Sequence, residues 1–481
     1  MMTGRVSMGL SAGMAVVMAG FLGCGFATTE SGPGALPKDV VEVVAAPDVP
    51  PEAVAELPPG DPGSGPWQVQ GPADWSTNSG LKPRAVHVTW QGDPAHTVTI
   101  QWQTDTAASD GYVPKVWIVP AAEAGEGPDG TMPFQDARVF TGTGFTYQAF
   151  DDVSPDGLVD RSQWTVEVTG LDPKTAYRYR AGTWSAFDKA AATFATPDLS
   201  PVQDVRTGRE PGDRSAFRFV SAGDSRTGSD KIRENAPRLA QVDADFWLFN
   251  GDMTEVGSQP EWDEWLDAMS PILATSPLMP IQGNHEVFAD LFYYQFAMPQ
   301  IGTLPDDMKE HGWSFTYGNM HFVGLDSNTE ASVVAQKDWL DADLAEASID
   351  PDIDWVVAMF HHPAYSASPS HGSTQRVIDN WVPIFEKHGV ALAFAGHDHD
   401  YERSFPIRAS QKVEDGQGPV YVVVGGFYSP GYSAGQDWWT FVSHHGDKGN
   451  YAVVDVDGKN LTVTAYAGYG DEILDTFTLS K

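Results

Sequence analysis

From Phe217 onward, short, mostly apolar runs alternate with stretches whose apolar residues recur at helical spacing. The runs are Phe217–Ala222, Phe246–Asn250, Leu278–Gln282, His321–Leu325, Trp355–Phe360 and Ala391–Ala395. Between them, Ile232–Val242, Glu261–Met269, Val333–Ala347 and Thr374–His388 read as amphipathic helices. Strands that are apolar throughout are buried on both faces, so this region predicts a sheet covered by helices. Val420–Gly425, Tyr451–Asp457, Leu461–Ala467 and Ile473–Leu479 are strand-like again. Upstream the period is two. Val86-His87-Val88-Thr89-Trp90 and Thr97-Val98-Thr99-Ile100-Gln101-Trp102 alternate, and Trp164–Val168 leads through Gly170-Leu171-Asp172-Pro173 to Tyr177–Arg180. Short strands punctuated by Gly, Pro and Asp turns predict an all-β sandwich. The expected plan is a sandwich over 81–197 followed by an α/β unit over 215–481, and a chain of 481 residues exceeds what one core supports.

The first eighty residues carry neither period. Arg5 followed by an apolar stretch from Met8 to Phe21 reads as an export signal over 1–24. Phe21-Leu22-Gly23-Cys24 resembles a bacterial lipobox, which implies a lipid anchor at Cys24 in the cell envelope; a cleaved signal with an incidental cysteine, and a secreted product, is the other reading. Residues 25–80, rich in Pro, Gly, Ala and acidic residues, read as a tether. No later segment is long and apolar enough to span a bilayer, so any membrane contact is expected through the N-terminus alone. Cys24 is the one cysteine, which excludes an intramolecular disulfide. A formal charge of −36 argues against a nucleic-acid backbone as main partner. It also repels small anions, so a site handling phosphate needs local positive charge of the kind that bound cations supply.

Five polar motifs each follow an apolar run directly: Gly223-Asp224-Ser225-Arg226, Gly251-Asp252-Met253-Thr254-Glu255, Gly283-Asn284-His285-Glu286, His361-His362-Pro363 and Gly396-His397-Asp398-His399. In layered α/β architectures the C-terminal strand ends open on a common crevice. Asp224 to Asp252 spans 28 residues and Asp252 to Asn284 spans 32, each about one βαβ unit of roughly 30 residues. Two carboxylates, an amide and several imidazoles are therefore expected to converge. Such hard oxygen and nitrogen donors suit two divalent or trivalent metals.

On these motifs the chain from Phe217 resembles the calcineurin-like metallophosphoesterase superfamily, and Gly396-His-Asp-His-Asp-Tyr-Glu-Arg403 resembles the purple acid phosphatase form of its last motif. Leu171–Tyr179 resembles the fibronectin type III signature, and a fibronectin-like domain before the catalytic one is the purple phosphatase order. The resemblance implies two packed β-sheets with helices outside, preceded by the all-β sandwich, and hydrolysis of a small-molecule phosphoester by a metal-activated hydroxide. It implies two metal ions (Fe, Zn or Mn), with Asp224 and His399 on the first, Asp252 bridging, and Asn284, His361 and His397 on the second. It places His285 beside them, polarising phosphate or protonating the leaving alkoxide, and makes His371 a phosphate contact, a solvated loop residue being the alternative.

Two positions depart from the family. Where non-purple relatives have a histidine two residues after the first aspartate, this chain has Arg226; where purple relatives have a tyrosine three residues after the second, it has Glu255. Arg226 is read either as a phosphate clamp or as a structural ion pair, and Glu255 as a substitute oxygen ligand or a carboxylate at a helix entry. A site without the tyrosinate-to-iron colour is expected. His361 rather than His362 is expected at the metal, and Asp398 is expected to point away. His87, His96, His311, His321 and His388 read as structural. The favoured activity is an acid-phosphatase-like phosphomonoesterase; a phosphodiesterase, or a non-catalytic surface-binding protein with a vestigial metal site, are the rivals.

Overall fold

The computed structural model describes residues 82–105, 112–124, 137–150, 157–185, 199–286, 290–468, 470 and 472–481. The expected leader, Cys24 and the tether over 25–80 lie outside the described residues. Eight strands open the chain: β1 (Arg84–Thr89), β2 (Val98–Thr104), β3 (Tyr112–Pro120), β4 (Arg138–Thr141), β5 (Thr143–Phe150), β6 (Leu158–Val168), β7 (Ala176–Ser185) and β8 (Gln203–Arg206). They form two four-stranded sheets, ordered β1-β2-β6-β5 and β4-β3-β7-β8. Between the sheets lie Val88, Ile100, Trp102, Val116, Ile118, Trp164, Val166, Tyr177 and Tyr179, the inward positions of the period-two pattern. The sheet continues past Pro197, because β8 pairs with β7. Strand β2 is buried on both faces. Its polar face does not meet water; it meets residues 259–297. Gln101 accepts from the Ala297 N–H at 2.6 Å, Tyr147 donates to Gln259 at 2.9 Å, and Tyr179 Oη donates to the Ala274 carbonyl at 2.7 Å.

The larger unit runs β9 (Phe217–Ala222), α1 (Ser229–Leu239), β10 (Phe246–Phe249), α2 (Gln259–Leu273), β11 (Leu278–Pro280), α3 (Leu291–Gln295), β12 (Gly312–Tyr317), β13 (Met320–Leu325), α4 (Glu330–Ala335), α5 (Lys337–Ile349), β14 (Trp355–Phe360), α6 (Gln375–Asn380), α7 (Val382–His388) and β15 (Leu392–Ala395). It continues β16 (Tyr401–Ser404), β17 (Ile407–Arg408), β18 (Gln411–Lys412), β19 (Val420–Val424), β20 (Thr440–His444), β21 (Asn450–Asp457), β22 (Asn460–Ala467) and β23 (Ile473–Ser480). The single sheet that periodicity predicts is in fact two, ordered β11-β10-β9-β21-β22-β23 and β12-β13-β14-β15-β19-β16-β20, as the family resemblance implies. They pack face to face: Phe219 of one sheet meets Phe322 of the other at 5.3 Å and Phe394 at 6.4 Å, both edge-on. Strands β9, β10 and β11 are parallel, as are β13, β14, β15 and β19.

Two expected helices are each broken in two. At Gln336 the side chain turns back to bond the Asp326 and Ser332 carbonyls at 2.7 and 2.9 Å, separating α4 from α5. At Trp381 the break precedes Pro383 in the first turn of α7, where a missing N–H interrupts the helical ladder. Helix α2 starts on a capping box, Ser258 with Glu261. No helix among the described residues is long and apolar enough to cross a membrane.

A part-buried ion pair ties the two large sheets together. Arg403 on β16 meets Asp475 on β23 at 2.6 and 3.1 Å, and the Tyr401 hydroxyl donates to the same carboxylate at 2.9 Å. Asp475→Ala leaves a cation uncompensated between Phe441 and Phe477. It should cost about 1–3 kcal/mol of folding stability, read from a shifted denaturant midpoint.

Candidate metal centre

Each of the five motifs leaves the C-terminal end of a parallel strand: Asp224 after β9, Asp252 after β10, Asn284 after β11, His361 after β14 and His397 after β15. The turn there is sharp. Asp224, Asp252 and His397 have φ of 60°, 54° and 70°, left-handed backbone that a side chain enters at a cost. The glycines allow close approach. A Cβ on Gly396 would lie 2.2 Å from Asp224 Oδ2, and one on Gly283 would lie 2.1 Å from Asp252 Oδ1.

Two donor groups result. Asp224, Asp252 and His399 offer atoms all within 4.8 Å of one another, as do His361, His362 and His397. Asp252 adjoins both groups: its Oδ1 lies 3.3 Å from His361 Nε2 and accepts the His285 N–H at 3.1 Å. Asn284 Oδ1 is 2.9 Å from His361 Nε2, and His399 Nε2 is 3.5 Å from Asp224 Oδ1. All six expected ligands are thus brought together. His362, expected beside the site, stands within the second group, its ring 4.4 Å from that of His397, while its Nδ1 lies 3.0 Å from Ser327 Oγ.

Hydrogen bonds set which ring nitrogens face inward. A carbonyl only accepts, so His361 Nδ1 donates to Asn250 O and His399 Nδ1 to Pro430 O, both at 2.7 Å. That leaves each Nε2 toward the carboxylates. Burial opposes charge on His361, but Asp252 more than offsets it and raises the ring to about 9. Burial and neighbouring imidazoles keep His362 well below its ordinary value and push His397 down to about 2, so both stay neutral with a lone pair free. Burial also disfavours charge on Asp252, yet the His361 and His285 rings hold its carboxyl below the usual range. Buried carboxylates facing neutral imidazoles fit a pair of transition-metal cations. Loading such cations at pH 7 requires His361 to deprotonate, and a pH-stat should register about one proton released per chain from that ring.

Glu286, quoted in its motif but given no role, anchors the centre. Its buried carboxyl accepts the N–H groups of Asp252, Thr254 and Gly283, each at 2.9 Å; burial and Asp252 raise it to about 7. Asp398 indeed points away from the donor groups. It accepts from Ser366 Oγ at 2.7 Å, from the N–H groups of His371 and Gly372 at 3.2 and 3.0 Å, and lies 3.2 Å from His371 Nδ1.

Residues 217–401 match the calcineurin-like phosphoesterase family, and residues 83–207 match the purple acid phosphatase N-terminal domain. Over residues 217–401 the chain carries a calcineurin-like phosphoesterase domain. The chain is 28% identical over 309 residues to an uncharacterised protein of Mycobacterium tuberculosis, covering 54% of this chain and 56% of that protein. It is 30% identical over 302 residues to purple acid phosphatase 15 of Arabidopsis thaliana, covering 54% and 52%. The chain spans little more than half the length of these relatives. In fold it is similar to purple acid phosphatase PPD1 from yellow lupin seeds, with a TM-score of 0.66 at 18% identity over 83% of this chain and 74% of that one. It is also similar to PhoD, with a TM-score of 0.57 at 14% identity over 84% and 91%.

The rim of the phosphoesterase site carries its departures. Among the described residues, the Glu255 carboxylate stays outside the Asp224–Asp252–His399 group; it is 42% exposed and 3.7 Å from Arg226 Nη1. The Glu255 carbonyl instead accepts from His285 Nδ1 at 2.6 Å. Arg226 Nη1 then donates to His285 Nε2 at 2.8 Å. Tyr432 went unnoticed in the sequence. Its ring lies flat on His399 at 4.1 Å, and its hydroxyl receives Arg226 Nη2 at 3.4 Å. It sits in Gly-Gly-Phe-Tyr-Ser-Pro-Gly-Tyr-Ser-Ala-Gly, residues 425–435, where no period singles out one tyrosine. His371, on its exposed loop, lies against the His397 ring at 4.1 Å.

Proposed function

We propose that this chain is a metal-dependent phosphoester hydrolase acting on phosphomonoesters, with Asp224, Asp252 and His399 holding one cation and Asn284, His361 and His397 a second. The observation that carries the reading is Asp252, a single buried carboxylate adjoining both donor groups. Cations bound there supply Lewis acidity toward phosphate oxygens and make water a nucleophile near neutral pH. The chain's own groups do the rest. His285, its Nδ1 proton committed to the Glu255 carbonyl, directs Nε2 to the rim where the leaving oxygen departs. His371, whose ring lies against that of His397, would contact the phosphate. The phosphoryl group passes directly to water, the ester P–O bond breaks and the leaving oxygen is protonated; the reading requires no nucleophile from the chain. The purple acid phosphatases among the relatives support the monoester preference.

Metal analysis of the purified chain, with turnover of an aryl monoester and an aryl diester, tests this. About two cations per chain are expected, with the monoester turned over faster and no tyrosinate colour. Stripping the metals with a chelator should lower the rate by at least about 10³-fold, with recovery on re-addition. A protein that binds no metal and hydrolyses neither ester overturns the proposal in favour of a surface-binding role; one that favours the diester overturns the substrate class.

A further inference from the structure

The geometry points to Arg226 as the residue by which this site tells a phosphomonoester from a phosphodiester, an inference that rests on the hydrolase reading above. The backbone of Arg226 is tied to the candidate bridging loop: the N–H groups of Ser225 and Arg226 both donate to the Asp252 carbonyl, at 2.9 and 3.0 Å. Its side chain is only 14% exposed. Nη1 is held by His285 and Nη2 by the Tyr432 hydroxyl, while Nε is buried with no hydrogen-bond partner. Among the described residues, the one carboxylate within 4.0 Å is that of Glu255, at 3.7 Å, beyond hydrogen-bond reach. A guanidinium buried for structural reasons is ordinarily met by a carboxylate fork. Arg403 with Asp475 shows that solution in this same chain. Arg226 is hydrogen-bonded by neutral acceptors instead; the Glu255, Asp252 and Asp224 carboxylates favour its charge from nearby, but no hydrogen bond to a carboxylate holds its fork.

A terminal phosphate supplies the match. A phosphomonoester carries three oxygens free of carbon, and a diester carries two. Cations held by the two donor groups, which Asp252 adjoins, would account for two such oxygens. The third falls to Arg226, which leaves its neutral holders to make a charge-assisted bond. In a diester that third position bears carbon, so the guanidinium stays unpaired and desolvated against an alkyl or aryl group. A site built around one polar contact discriminates strongly against the analogue that lacks it. Tyr432 is a positioning residue here, its ring fixed on His399 and its hydroxyl aiming Nη2.

The test compares kcat/KM for p-nitrophenyl phosphate and bis-p-nitrophenyl phosphate in the metal-loaded full chain and in Arg226→Ala, Arg226→Lys and Tyr432→Phe. Inorganic phosphate affinity by calorimetry and metal content accompany the rates. Arg226→Ala should lower monoester kcat/KM about 100-fold and diester kcat/KM less than about threefold, and weaken phosphate at least about tenfold with both metals retained. Arg226→Lys, which keeps charge without the fork, should fall between Ala and wild type, and it decides the matter if the Ala variant does not fold. Tyr432→Phe should raise monoester KM more than it lowers kcat. Equal losses on both esters, or unchanged phosphate affinity, would overturn the role of Arg226 while leaving the hydrolase reading intact. A wild-type chain without metal or turnover overturns both.

Discussion

Asp252→Ala is expected to reduce phosphomonoester turnover by at least about 10³-fold and to release bound metal, while circular dichroism and the melting transition stay close to wild type. The size follows from position: this carboxylate adjoins the Asp224–His399 pair on one side and His361 with Asn284 on the other. The fold should persist because the loop is held by its backbone. The Asp252 N–H is bonded to Glu286 and its carbonyl receives Ser225 and Arg226, none of which the substitution removes. Alanine at φ of 54° adds about 1 kcal/mol of backbone cost, too little to unfold a domain with this core. Retention of two metals with wild-type turnover would remove the carboxylate from the centre.

Gly396→Ala should rank second, and for a steric reason. The new methyl would lie 2.2 Å from Asp224 Oδ2 and 3.2 Å from the Asn250 carbonyl. Asp224 is fully buried, and its carboxylate receives the His397 N–H at 2.9 and 3.0 Å. It must therefore rotate out of register with His399. A displacement of about 1 Å at a reacting centre costs about 10²-fold in rate, and about one metal equivalent per chain should be lost, measured by mass spectrometry of the purified variant. Wild-type metal content would show that the cage tolerates the methyl group.

The parts of this molecule that were legible in its sequence are those set by local spacing. Phe217–Ala222 and Trp355–Phe360 occupy the strands expected of them because short, mostly apolar runs followed by glycine or a polar turn fit a sheet interior. The convergence of Asp224, Asp252, Asn284, His361, His397 and His399 was legible for the same reason, each following a run whose end faces one edge. What escaped depends on partners remote in the chain. That β9 lies between β10 and β21 is a pairing across more than two hundred residues that no period reports; the two packed sheets were expected from the family resemblance alone. Gln101, Gln103 and Tyr147 look solvent-facing by alternation and are buried because α2 and the segment after it cover them. Gln336 breaks a helix through side-chain bonds that its residue type does not announce. Glu286 and Tyr432 act through hydrogen bonds and a ring face, which leave no signature in composition or spacing.

Asp398 stands between His397 and His399, yet it spends its carboxylate on Ser366, His371 and Gly372. The 366–372 loop is thereby riveted to the segment that presents two of the imidazoles. Loop grafting at 366–372 to retune specificity would therefore not be modular in this protein. Any cassette that fails to return those bonds to Asp398 would slacken the imidazole turn along with the entrance, so changes of selectivity and of cation affinity should be inherited together.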